Sequence, residues 1–187
     1  MRKVAGKRGA IELSIGTIVI IVLAMTMLIL GLVLIRSIFS GAKYNIDTIN
    51  DKVRDEIGKL FTEDKKTVIY LANQEAKIKQ GESWGIAFGI QNLETGFTGD
   101  KKFHYVVEVS DPDIKKKCGI NEATANSWII TGREDTISIA SGDKYVGLAR
   151  FQIPVGSPLC IIRYHLDVEF GNEPYYTDFF DVTIKPK

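Results

Sequence analysis

Histidine and cysteine are scarce in this chain, two of each among 187 residues, and that scarcity removes most metal and nucleophilic chemistry. His104 and His165 each alternate with apolar neighbours, which predicts that both sit on outward, polar strand faces. Cys118 and Cys160 form no close Cys-x-x-Cys pair, so the ligand spacing of a structural zinc site is missing. A His-Glu-x-x-His pair, a phosphate-cradling glycine loop and a calcium loop of alternating Asp and Asn are absent as well. Asp111-Pro112-Asp113, the nearest acidic cluster, reads as a turn. No catalytic residue, cofactor or metal is expected, and the chain is not expected to be an enzyme. Charge of one sign is also lacking. The formal net charge is +1, with neither a basic patch nor an acidic tail, so nucleic acid is not an expected partner. No Asn-x-Ser/Thr triplet occurs, which excludes N-glycosylation.

What is present in excess is one apolar run. Residues 15–35, IGTIVIIVLAMTMLILGLVLI, hold 21 positions without a charge. As a helix they span about 31 Å, the thickness of a bilayer's hydrocarbon core. The run is too long for the apolar region of a cleaved secretory signal, and Ser40-Gly41-Ala42 behind it offers a poor cleavage site. A transmembrane helix over residues 10–35 is expected, with membrane lipid as its partner. Arg2, Lys3, Lys7 and Arg8 hold the leader, residues 1–9, on the cytoplasmic side. Residues 36–187 contain 20 basic and 22 acidic side chains and are expected outside the cytoplasmic membrane.

The leader ends in Lys7-Arg8-Gly9 followed by Ala10, directly before the apolar helix. This resembles the class III leader of archaeal type IV pilins and archaellins, which a leader peptidase cuts after the glycine. Ile15-Gly16-Thr17-Ile18-Val19 is similar to the Ile-Gly-Thr-aliphatic segment that opens the mature archaellin helix. The resemblance covers residues 7–35 and implies an archaeal source. It also implies processing between Gly9 and Ala10, and self-association through the helix. Glu12 stands third after that cut, where bacterial pilins carry their glutamate fifth. In a filament its carboxylate would pair with the new α-amino group of a neighbouring subunit, offsetting the desolvation of both charges. In an isolated anchor it would rest in the headgroup region.

Beyond the span the apolar positions become periodic. Ile46, Ile49, Val53 and Ile57 continue a stripe at spacings of 3 and 4, one face of a helix. An amphipathic extension over residues 36–62, with a bend at Gly41, is expected. Two covers are open for its stripe: the chain's own β domain, or the same stripe on neighbouring copies. From residue 67 onward the pattern changes to alternation with β-branched and aromatic residues. Strands are predicted at 67–72, 75–79, 84–90, 103–109, 128–131, 136–140, 145–153, 162–170 and 180–184, and they indicate an antiparallel sandwich over residues 67–187. Trp84 and Trp128 are read as core or sheet-edge packing rather than a sugar-binding platform. Ile153-Pro154-Val155-Gly156, Tyr164-His165-Leu166-Asp167-Val168 and Phe179-Phe180-Asp181-Val182-Thr183-Ile184 resemble the closing half of an immunoglobulin-like domain of prokaryotic surface proteins.

The fold class expected is therefore α+β and membrane-anchored, a long N-terminal helix followed by an antiparallel immunoglobulin-like sandwich. With two cysteines in an outer domain, one disulfide is expected between Cys118 and Cys160. Closing a loop of about 40 residues stabilises by roughly 4 kcal/mol in the chain-entropy picture. Two functions remain open. One is a pilin-like or archaellin-like subunit of a surface filament or pseudopilus, assembled through Glu12 and the stripe. The other is an uncleaved anchored domain that binds surface-layer protein, partner protein or glycan.

Overall fold

The computed structural model describes residues 8–42, 46, 48–95 and 102–187, with side chains described for residues 16–33 of the first helix. The chain divides into two compact units, Met1–Ala42 and Lys43–Lys187.

The described part of the first unit is one helix, α1 (Arg8–Ala42), of 35 residues and so about 52 Å long. No proline interrupts it. The Thr26 hydroxyl donates to the Leu23 carbonyl at 2.8 Å, which satisfies a polar group inside an apolar helix. The segment Gly16–Val33 is long and apolar enough to cross a membrane, and none of that window is buried by the chain.

The second unit is a two-sheet β-sandwich. Its strands are β1 (Thr67–Ile69), β2 (Glu75–Lys79), β3 (Ser83–Gln91), β4 (Phe103–Val109), β5 (Ile129–Thr131), β6 (Glu134–Ile137), β7 (Lys144–Gln152), β8 (Ile161–Phe170) and β9 (Glu173–Lys185). Alternation buries one side of each long strand, and β4 and β8 show this over their whole length. One sheet runs β1-β3-β7-β5 and the other β2-β9-β8-β4-β6. With β1, β3, β4, β7, β8 and β9 in the places of A, B, C, E, F and G, this is an immunoglobulin-like order. Aromatic rings fill the space between the sheets: Phe151 meets Tyr164 edge-on at 5.1 Å, and Tyr164 stacks on Phe180 at 5.7 Å. The β8–β9 turn has Gly171 at φ 58° and Asn172 at φ 71°, the paired left-handed residues of a tight two-residue hairpin.

The sheets are mixed, not wholly antiparallel. β2 pairs with β9 in parallel, Glu75 opposite Asp181 through Lys79 opposite Lys185. The chain leaves the first sheet after β1 and crosses to the second through a 3-10 turn (Ala72–Gln74), where Asn73 and Gln74 both have positive φ. This crossing does not reverse the chain as a hairpin would, and β2 then runs alongside β9 in the same direction. The Asp178 carboxylate of β9 accepts from the Thr67 hydroxyl at 3.2 Å and from the Gln74 amide at 3.1 Å, which ties the crossing down.

The helical stripe also differs from expectation. Helix α1 ends at Ala42, and α2 (Asp51–Gly58) is a separate helix of eight residues. Asn50 caps α2, its side chain accepting from the Val53 amide at 3.0 Å, with Asp51 in the first turn. Lys144 reaches the other end and donates to the Gly58 carbonyl at 3.4 Å. Among the described residues the compact unit of the sandwich also includes Ile46 and α2, which precede β1.

Two further helices, α3 (Ile114–Cys118) and α4 (Glu122–Asn126), lie between β4 and β5. Gly119 at φ 68° closes α3, and the Asn121 side chain caps α4 through the Thr124 amide at 2.8 Å.

Candidate interaction surfaces

The two outer faces of the sandwich are dressed differently, and the sequence of β3 explains one of them. Trp84, Ile86, Phe88 and Ile90 point into the core between the sheets, so Gly85, Ala87 and Gly89 point outward. These small residues form the floor of a shallow channel. A Cβ on Gly85 would lie 1.7 Å from the Ile46 carbonyl oxygen, and one on Gly89 would lie 2.6 Å from the Phe61 ring. The Ile46 amide donates to the Gly85 carbonyl at 2.9 Å. Ile46, Ile57, Val68, Tyr70, Ala87 and Val146 form a second apolar cluster, with Ile49, Val53 and Phe61 packed against it. The Tyr70 hydroxyl donates to Glu56 of α2. Ile46 and Ile57 of the stripe are thus buried by the chain's own sandwich, while Ile49 and Val53 are only partly covered by it.

The outer face of the β2-β9-β8-β4-β6 sheet has no such covering element among the described residues. Arg163 forms a bidentate pair with Asp181 at 2.9 and 3.0 Å and lies 4.4 Å from the Phe179 ring centre. His165 stands opposite Glu108 on one side and Phe179 on the other. His104 Nδ1 lies 3.2 Å from the Thr136 hydroxyl. The two histidines share this face as expected. Across the sheet edge, Glu75 accepts from the Thr183 hydroxyl at 2.7 Å. That bond, with Lys77 adding to it, holds the carboxyl below its ordinary range.

An open groove of about 620 Å³ lies beside this face, lined by Asp111, Lys117, Cys160, Ile161, Arg163 and Asp181 among others. Two of its aspartates are paired, Asp181 with Arg163 and Asp111 with Lys117. Buried Asp111 accepts both contacts from Lys117, at 3.0 and 3.1 Å, and also the Asp113 amide at 3.1 Å. The Asp-Pro-Asp turn is therefore held by a lysine. Among the described residues no cluster of His, Cys, Asp and Glu is arranged to hold a metal ion.

Cys118 and Cys160 are bonded as expected and join α3 to the start of β8. Trp84 and Trp128 are both buried, in keeping with the packing role. Burial raises the Tyr164 hydroxyl above the ordinary phenol range, and burial followed by Tyr145 does the same for Tyr105. Both stay neutral, and Tyr164 donates to the Ala125 carbonyl at 3.0 Å. Gly9, Ala10 and Glu12 fall in the first turns of α1, and their side chains lie outside the described residues.

One pattern escaped the sequence reading. Gly81-Glu82-Ser83-Trp84-Gly85 has the Gly-x-Ser-x-Gly spacing of a nucleophile elbow, which needs a strand-to-helix turn. Here Ser83 opens β3, paired opposite Gln152, and both histidines lie in the other sheet. The spacing is incidental.

No protein-family model matches the chain, and no curated protein matches it. Solved structures similar to it include a PapD-like domain of human CEP192, at 17% identity and a TM-score of 0.37, covering 68% of this chain and 89% of that one. A family 123 glycoside hydrolase from Clostridium perfringens aligns at 11% identity and a TM-score of 0.38, over 60% of this chain and 22% of the hydrolase. At this level of similarity the likeness carries no function across, and the immunoglobulin-like assignment stands on the strand order itself.

Proposed function

We propose that the chain is a pilin-like or archaellin-like subunit of a cell-surface filament or pseudopilus. In this reading α1 serves as membrane anchor before assembly and as the packing element within it, and the immunoglobulin-like body is displayed outside the cytoplasmic membrane. The observation that carries the reading is the uncovered apolar window Gly16–Val33 in a helix of 35 residues. That helix is about 52 Å long, well beyond a bilayer's hydrocarbon thickness. Its first turns contain the Gly9–Ala10 bond and Glu12. Lipid covers such a helix in the membrane, and copies of itself cover it in a filament.

A second reading is favoured by a different observation. Ile46 and Ile57 of the stripe are buried against the chain's own sandwich, and one sheet face has no covering element among the described residues. An uncleaved single-pass anchor that presents this face to surface-layer protein, partner protein or glycan has the same parts.

Electron microscopy of cell surfaces, with the size of the detergent-extracted protein, separates the two for wild type and Glu12→Gln. The filament reading expects assemblies in wild type that Glu12→Gln abolishes while the variant stays in the membrane. A wild-type protein found only as a monomer, with no filament in any growth condition, establishes the anchor instead.

A further inference from the structure

The body has an entry end, where the chain joins it at Ile46, two residues into β3 from the Ser83 end. The same end carries the β2–β3 turn, the β7–β8 loop, α3 and the last residues of β9. Three contacts hold these together: Gln80 amide to Lys185 carbonyl at 3.0 Å, Gly81 amide to Ile153 carbonyl at 2.7 Å, and the Cys118–Cys160 bond.

Three apolar side chains project here without cover: Val155 is 70% exposed, Leu159 58% and Ile161 54%. Lysines surround them. Lys79 stands opposite Lys185 across β2 and β9, and Ile161 shares the adjoining row with Thr183 and Lys77. The disulfide brings Lys115 and Lys116 of α3 to the same place. Acidic groups also face this end. Glu75 pairs with Lys77, Glu82 with Lys79 and Asp111 with Lys117, and Asp181 with Arg163; Asp113 stands beside them. Among the described residues Lys115, Lys116 and Lys185 make no ion pair, so the surplus is positive.

We propose that this end docks on the surface of the bilayer, with Val155, Leu159 and Ile161 entering the headgroup boundary and the unpaired lysines meeting anionic lipid. Apolar tips ringed by lysine are the chemistry of interfacial binding. The apolar groups gain from leaving water, and the ammonium heads reach back to phosphate along their own methylene stems. The occupant follows from connectivity as well as charge, because the chain enters the body at this end after its apolar helix. The inference rests on the reading of α1 as a membrane anchor and adds a second lipid contact to it.

The test uses the full chain reconstituted in phosphatidylcholine vesicles, with and without phosphatidylglycerol, some of the lipid brominated on its acyl chains. Val155→Trp and, independently, Leu159→Trp place a fluorophore at the loop; Ala140→Trp places one in the exposed connection before β7, at the far end of the body. Flotation reports the anchor separately. Bromolipid is expected to quench the Val155 and Leu159 probes severalfold more than the Ala140 probe. The excess should grow with phosphatidylglycerol and shrink with added salt or with Lys116→Glu and Lys185→Glu together. Equal quenching at all three probes in a chain that floats overturns the docking and leaves the anchor standing. A chain that fails to float overturns both.

Discussion

At Gly85 a Cβ would lie 1.7 Å from a backbone oxygen, a contact that no rotamer change relieves. Gly85→Ala is therefore expected to push Ile46 off β3, destabilising the body by about 1–3 kcal/mol and speeding hydrogen exchange at the Ile46 amide. An unchanged denaturation midpoint would contradict that packing. Glu75 gives a residue whose effect depends on pH. Its carboxyl is held below the ordinary carboxylate range, chiefly by the Thr183 hydroxyl. The resulting stabilisation is present above the unfolded value and is lost as pH falls through the lower folded one. Thr183→Val should cost about 1 kcal/mol near neutral pH, and the gap to wild type should close as acid protonates Glu75. Urea midpoints measured across that range check the sign; a gap constant with pH would contradict it. The alternation of β3 was legible in the sequence, large residues at 84, 86, 88 and 90. The reason for glycine and alanine between them was not, because a strand's pattern does not say what covers its other face.

At the scale of elements, α2 shows how periodicity misleads about continuity. Ile46 and Ile49 keep helical spacing with Val53 and Ile57, yet Ile46 is hydrogen-bonded to β3 and α2 begins only at Asp51. Asn50-Asp51 was the readable start signal, a capping residue followed by an acidic first turn. The parallel pairing of β2 with β9 was illegible for a different reason: alternation fixes which side chains are buried, not the direction of the neighbouring strand. α3 and α4 are too short to show a period, and only Gly119 and Asn121 mark them. Since the stripe is packed on the sandwich, Ile57→Ala should destabilise the body by about 2–5 kcal/mol, because Ile57 is fully buried. Ile49→Asp and Val53→Asp should act in the same direction, through the body and not through assembly. Thermal unfolding of the extracted monomer measures this. A melting temperature unaffected by Ile57→Ala would mean that α2 is not held as described.

For the whole molecule, composition spoke early: a 21-residue uncharged run, a basic leader and a near-neutral remainder divide the chain into a helix and a β body. The cysteine pairing was legible because two cysteines permit one bridge. What the body touches was not, since an open sheet face is built from the same alternation as a solvated one. The proposed function requires that the chain lose residues 1–9 and assemble through α1. Its most direct test is the intact mass of the protein in filaments sheared from cells and in the membranes left behind. The mass of a chain beginning at Ala10, present in the sheared fraction, is the expected result. A chain that keeps Met1 to Gly9 and stays wholly in the membrane would contradict it.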